Sequence, residues 1–162
     1  MTSNVDLLEE YEKIIELFGG VQESDLPLDE ENTLKLAFAL RNIGANYGTV
    51  SLLKIAQEYS LKHPMDDISH LKVDLQKLHE IMNRHRNLNH IIQLSKLRGI
   101  HLLKPIVDGK AIQTIYGCGG GKHIKSIMDE CIRFQILNLE APRDQVEEYM
   151  MSKKDEFMNK YA

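Results

Sequence analysis

The sequence predicts an all-helical protein, in which a helical bundle body is followed by a smaller helical tail that contains a helix, a glycine hairpin and a second helix. Nearly every segment with a regular apolar pattern repeats at three and four residues, which is the helical period. No alternation of polar and apolar residues lasts long enough for a strand, and no tandem repeat is visible. The 162 residues, 43% of them apolar, suffice for one large core or two small ones without disulfides.

The first five predicted helices are recognised by a polar cap before the apolar pattern or by a Gly or Pro after it. Asp29 is a good cap for the second helix, which ends near Gly44. Asp66 or Asp67 begins the fourth helix, and Asn87 caps a separate fifth helix. The predicted ranges are roughly 4–18, 30–43, 49–63, 67–82 and 88–98.

An extended connection is predicted from Ile100 to Val107, because this segment permits β structure and contains Lys104-Pro105. It separates a helical body-like region, 1–100, from a helical tail-like region, 101–162. Three further helices are predicted in the tail, at about Lys110–Tyr116, His123–Asn138 and Arg143–Lys160.

Charge is distributed unevenly along the chain. The stretch from residue 84 to 125 has eight Lys or Arg and one acid, Asp108, for a net charge of +7, while the remaining 12 basic and 23 acidic residues give −11. A cationic region in an acidic protein favours a polyanionic partner such as RNA, although each side chain alone also suits an ordinary solvated helix face. The predicted RNA-binding side chains are Arg84, Arg86, Lys96, Arg98, Lys104, Lys110, Lys122 and Lys125.

The basic stretch also contains a run of glycines before a predicted helix. Gly117 to Gly121 suit a tight turn that needs positive φ, and the first amides of the next helix can donate to phosphate. The predicted anion site therefore adds Gly119, Gly120, Gly121 and His123. A tight interhelical connection without a ligand is the alternative, and neighbouring Tyr116 suits either base stacking or packing.

Two nucleotide-binding motifs are excluded at this turn. A phosphate-binding P-loop that ends at Gly121-Lys122 requires Gly at 116 and Ser or Thr at 123, where the chain has Tyr116 and His123. A dinucleotide-binding fingerprint requires Gly at 122, where the chain has Lys122.

No catalytic or metal site is predicted. The best group of possible metal ligands is His63, Asp66, Asp67 and His70, but helix capping explains its aspartates. The two cysteines lack the spacing of a zinc site or a disulfide framework, and Cys131 is predicted to lie in the core. We expect an intracellular protein without a membrane span, whose compartment and oligomeric state are not indicated.

From Leu102 to Tyr149 the sequence resembles the C-terminal end of the class II tRNA nucleotidyltransferases, the CCA-adding enzymes, especially the eukaryotic branch. The matching pieces are Pro105-Ile-Val-Asp-Gly-Lys-Ala-Ile112, Gly117 to Ile124, Phe134-Gln-Ile136 and Asn138-Leu-Glu-Ala-Pro-Arg-Asp-Gln145. The chain departs from the family where Gly120 replaces a frequent Pro and Phe134 a frequent Trp. Upstream, 58–62 and 96–99 resemble the helical body more weakly.

The resemblance implies a body-and-tail piece that holds tRNA without the family's catalytic head. The head's glycine-serine and paired-aspartate signatures are not in this sequence, so magnesium and nucleotide are expected to bind a head that lies elsewhere, and this chain is expected to need no cofactor. The expected partners are tRNA or another structured RNA and a catalytic nucleotidyltransferase domain. Two alternatives are a helix-hairpin-helix DNA-binding module and a non-catalytic helical scaffold.

Overall fold

The computed structural model describes residues 4–62 and 75–161, and the side chains of residues 6–60, 75–121 and 123–159. All regular secondary structure in these ranges is helical, which confirms the predicted all-α class. The chain divides into two compact units, Met1–Leu102 and Leu103–Ala162. None of the described helices is long and apolar enough to cross a lipid bilayer.

The first unit is built around α1, which packs against the three helices that follow it. The helices of this unit are α1 (Asn4–Phe18), α2 (Glu30–Ile43), α3 (Tyr47–Lys62) and α4 (Leu75–Leu94). Its core includes side chains that are almost completely buried: Tyr11, Leu36, Ile43, Ile81, Leu88 and Ile91.

Local signals place the ends of α2 where the sequence predicts them. The Asp29 carboxylate accepts a hydrogen bond from the backbone N–H of Asn32 at 2.7 Å, as an N-cap does. Gly44 ends the helix with φ of 62°, a conformation that strains residues with a side chain.

One long helix replaces two predicted ones, and the prediction of a separate fifth helix is wrong. α4 continues through Asn87, which lies in its interior rather than at its start. The Asn87 side-chain amide instead donates hydrogen bonds to the carbonyl oxygens of Gly19 and Val21, at 3.0 and 2.7 Å. This asparagine therefore provides hydrogen bonds to backbone carbonyl groups just after α1. The predicted helix start at Asp66 or Asp67 lies outside the described residues.

The second unit begins with an extended segment and then packs four helices around a small apolar core. Its helices are α5 (Gly109–Tyr116), α6 (Lys122–Leu137), α7 (Arg143–Ser152) and α8 (Lys154–Tyr161). α6 contacts α5 and α7, and α7 contacts α8. The core contains Val107, Ile112, Tyr116, Ile127, Cys131, Val146 and Met150, and it confirms the predicted burial of Cys131.

Two details of this region differ from the predictions. The segment predicted to be extended from Ile100 begins with a short 3-10 turn, Ile100–Leu102. The single predicted final helix is interrupted at Lys153, between α7 and α8. The interruption accompanies the packing of Phe157 in α8 against the edge of the Tyr116 ring, at 6.2 Å between centroids.

Candidate nucleic-acid interface

The glycine segment between α5 and α6 begins with a standard helix end. Gly117 has φ of 66° and ψ of 31°, the left-handed conformation that glycine adopts without strain. Its N–H and that of Cys118 both donate to the carbonyl oxygen of Gln113, at 2.8 and 3.2 Å. The predicted need for positive φ in this turn is thus confirmed at Gly117.

The start of α6 lacks the features that usually neutralise a helix N-terminus. Gly121 provides no side-chain cap, and the first turn of α6 contains no acidic residue. The N–H groups of the exposed Gly119, Gly120 and Gly121 donate no hydrogen bond to any described residue. These amides are therefore available to an anion.

His123 packs back over this segment. Its Nε2–H donates to the carbonyl oxygen of Gly119 at 3.0 Å. A methyl group at Gly121 would lie only 2.8 Å from Cε1 of the His123 ring, so glycine lets the ring approach the backbone. The sequence-predicted site residue His123 thus supports the shape of the segment.

Three of the four predicted basic side chains in the second unit are described, and they are exposed and pair with no described acid. Lys104, Lys110 and Lys125 make no ion pair with any described residue. The single acid of the stretch, Asp108, caps α5 by accepting from the N–H of Ala111 at 2.8 Å. The side chain of Lys122 lies outside the described ones.

In the first unit the predicted residues have different environments. Arg84 forms an ion pair with Glu58, so its charge is already matched. Arg86 and Arg98 are exposed and make no ion pair with a described residue, although Nη1 of Arg86 lies 3.5 Å from Oδ1 of Asn83. Lys96 is exposed and has a φ of 57° just after α4.

Basic residues outside the stretch show the opposite pattern. Several of them form ion pairs with glutamates, at N···O distances from 2.6 to 3.8 Å. The paired residues are Lys13, Lys35, Lys54, Arg133, Arg143 and Lys153. Within the stretch, five basic side chains make no ion pair with a described residue, namely Arg86, Arg98, Lys104, Lys110 and Lys125, whereas Arg84 is paired with Glu58.

Tyr116 does not offer a stacking surface, so the packing alternative is correct. Its side chain is buried in the second core, and its hydroxyl donates to the carbonyl oxygen of Met150 at 2.7 Å. Burial is the main cause that raises the pKa of Tyr116 to about 12. The sequence places Tyr116 beside the glycine turn, but it does not show whether the ring faces the core or the solvent.

Gln135 is a residue whose role sequence reasoning missed. Its buried Oε1 accepts from the backbone N–H of Ile106 at 3.0 Å, and its Nε2 donates to the carbonyl oxygen of Lys104 at 3.3 Å. One amide thus fixes the backbone that carries Lys104. The only available signal was its place in the Phe134-Gln-Ile136 piece of the family resemblance, because a glutamine on an apolar helix stripe does not reveal its partners.

No group of three His, Cys, Asp or Glu side chains in the described part of the chain is arranged to hold a metal ion. The group His63, Asp66, Asp67 and His70 lies outside that part. Comparisons with protein-family profiles, with curated proteins and with solved structures find no match to the chain.

Proposed function

We propose that this chain is the tRNA-binding body-and-tail portion of a CCA-adding tRNA nucleotidyltransferase and that it binds the RNA backbone without a catalytic head. The single observation that carries the proposal is the set of exposed basic side chains with no ion pair to a described residue: Arg86, Arg98, Lys104, Lys110 and Lys125. The resemblance of residues 102–149 to the tail of that family indicates tRNA among the polyanions.

Unpaired surface cations bind a polyanion without first breaking a protein ion pair. Each phosphate that such a cation neutralises releases condensed counterions, which favours association at low salt. The amides of Gly119, Gly120 and Gly121 add uncharged donors that fit phosphate oxygens. Contacts of this kind select helical shape rather than sequence, as a protein that serves many tRNAs requires.

Chemistry is not part of the proposed role of this chain. In the family, magnesium and the incoming nucleotide are bound by the head, whose signatures the sequence lacks. This chain would hold and orient tRNA while a head on another segment or another protein adds nucleotides.

The proposal is tested by reversing two lysines together, Lys110→Glu and Lys125→Glu. Each lies in the first turns of a helix, α5 or α6, where a glutamate interacts favourably with the helix dipole, so the fold should be kept. In a filter-binding titration with tRNA we expect weaker binding and a salt slope that is shallower by about 0.9 per lost phosphate contact.

The matched control reverses two lysines in the acidic part of the first unit, Lys13→Glu and Lys35→Glu, with the same change in net charge. These side chains are exposed and paired with Glu10 and Glu31. Equal losses of tRNA affinity in both double variants would show that the effect comes from the net charge of the chain and not from the positions of Lys110 and Lys125. Unchanged affinity and slope in the Lys110/Lys125 variant would remove this surface from the site.

The second candidate is a DNA-binding helix-hairpin-helix module, favoured by the spacing Ile112-x-x-Ile115-x-Gly117-x-Gly119 across the end of α5 and the glycine segment. Competition between tRNA and duplex DNA of equal length distinguishes the two, because tRNA should displace DNA only under the first proposal. A helical scaffold predicts that neither nucleic acid binds, even at low salt.

A further inference from the structure

The first unit contains a cavity of about 560 Å³ near the C-terminal ends of α2 and α4. This volume is in the range of small-molecule sites, about 300–1,000 Å³. Its lining includes the apolar residues Leu40, Ile92, Leu97 and Ile100, together with Tyr47. Such a surface suits a flat, largely apolar group.

Polar side chains converge on the same cavity. Asn89 and Gln93 are four residues apart on α4, so both face the cavity one turn from each other. Both are exposed, and their carboxamides make no hydrogen bond with any described residue. A carboxamide donates and accepts at once, which matches the edge of a nucleobase.

The cavity also favours negative charge. Arg98 lines it and makes no ion pair with a described residue, and His101 lies beside it. Among the described residues no acidic side chain lines the cavity, although acids outnumber bases in this chain by 24 to 20. A guanidinium with unused donors is well suited to phosphate.

The geometry points to a binding site for a nucleoside monophosphate, with the base held between Tyr47 and the two carboxamides and the phosphate held by Arg98. The ligand is either a free mononucleotide or an unpaired nucleotide of an RNA chain, since both present the same chemistry. The inference goes beyond the proposed grip on the RNA backbone and does not depend on it, because binding of a free mononucleotide needs no tRNA contact.

Two glycines of the cavity lining have a backbone conformation that favours glycine. Gly44 and Gly99 line the cavity with φ of 62° and 77°, and a methyl group placed on either would meet no atom within 4 Å. Ala45 also belongs to the lining and is exposed, so we expect a large side chain at this position to occupy space in the cavity.

The test is an NMR titration of the full chain with AMP, CMP, GMP and UMP up to about 10 mM, which covers millimolar affinity. We expect saturable shifts of the Asn89 and Gln93 side-chain NH₂ signals. Arg98→Ala should weaken binding about tenfold or more, as loss of a hydrogen bond to a charged group does, and Ala45→Trp should abolish it. Arg143→Ala and Ala56→Trp, at exposed positions that do not belong to the lining of the cavity, should leave affinity unchanged.

Four further ligands identify the chemistry that is recognised and whether the nucleotide is free or part of an RNA chain. Adenosine should bind more weakly than AMP, and inorganic phosphate should not displace AMP at equal concentration. A hairpin RNA with an unpaired loop should compete for the site if it also accepts a nucleotide within RNA, whereas a blunt RNA duplex should not compete. If the hairpin shifts the two carboxamide signals while mononucleotides do not, and Arg98→Ala removes these shifts, the site binds a nucleotide within an RNA chain.

The inference is overturned if neither mononucleotides nor the hairpin shift the two carboxamides. It is also overturned if Ala45→Trp binds like the unmodified chain, or if phosphate alone competes as well as AMP. Failure of tRNA binding in the filter assay, with mononucleotide binding retained, would contradict the RNA-backbone proposal and leave this site standing.

Discussion

The cores of the two units differ in how they use polar groups. In the first unit the buried Tyr11 hydroxyl lies 2.9 Å from Oγ of Ser51 and 2.8 Å from Nδ1 of His85, so a titratable network crosses three helices. In the second unit the core is mostly apolar, and its buried polar groups, the Tyr116 hydroxyl and the Gln135 carboxamide, form hydrogen bonds with backbone groups. A buried histidine therefore links the stability of the first unit to pH below neutrality, whereas burial keeps the Tyr116 hydroxyl of the second unit protonated there and its Gln135 carboxamide carries no titratable group.

The largest expected effect is loss of the Gln135 carboxamide. Gln135→Leu leaves the partly buried N–H of Ile106 and carbonyl of Lys104 without their partner, and each such loss costs about 1–3 kcal/mol. We expect urea denaturation to show the second unit destabilised by about 2–4 kcal/mol.

Gln145→Leu, at an exposed position on α7, is the matched control and should change stability little. A Gln135→Leu variant as stable as this control would show that the second core does not depend on its buried amide. The proposed difference between the two cores would then be wrong for the second unit.

The next effect concerns the backbone of the glycine segment. Gly117→Ala places a side chain at φ of 66°, which costs about 1–2 kcal/mol. Gly119→Ala has no positive φ and would meet no atom within 4 Å, so it should be near neutral.

Thermal unfolding of the two alanine variants measures this difference directly. Equal stabilities would mean that the left-handed turn at Gly117 is not required for the second unit.

The smallest effect, and the one that sharpens the comparison most, is the pH dependence of the first unit. Burial is the main cause that lowers the pKa of His85, and Arg84 lowers it further, while Glu58, whose Oε1 lies 3.6 Å from Nε2, raises it. As pH falls, the unfolded state therefore binds a proton on this histidine before the folded state does. The contribution of His85 to the free energy of unfolding is fully present above about pH 6.5 and decreases as pH falls toward the folded pKa.

For this single proton the slope is at most about 1.4 kcal/mol per pH unit. His85→Gln should flatten the dependence of unfolding free energy on pH, while His90→Gln, at an exposed position on the same helix, should retain it. A His85→Gln profile that parallels the unmodified protein would assign the pH response to other groups.

Sequence reasoning succeeded where the signal is local. Asp29, Gly44 and Gly117 each act within a few residues along the chain, so their identities suffice to predict a cap or a turn. It failed where a partner is distant in sequence. Asn87 is indistinguishable from a cap until the end of α1 is beside it.

The candidate site was predicted unevenly for the same reason. The net charge of the stretch and its run of glycines can be read directly from the amino-acid sequence. Whether a cation has a partner depends on packing, so nothing in the sequence distinguishes Arg84, paired with Glu58 on another helix, from the unpaired Arg98. The direction of Tyr116 and the hydrogen bonds of Gln135 are likewise tertiary facts.

The central claim is that unpaired cations of this chain bind RNA phosphates, and the salt dependence of tRNA binding tests it most directly. If the five exposed, unpaired side chains each contact one phosphate, the logarithm of the association constant should fall against the logarithm of salt concentration with a slope of about −4 to −5. A slope shallower than about −1, or no tRNA binding at low salt, would contradict the account.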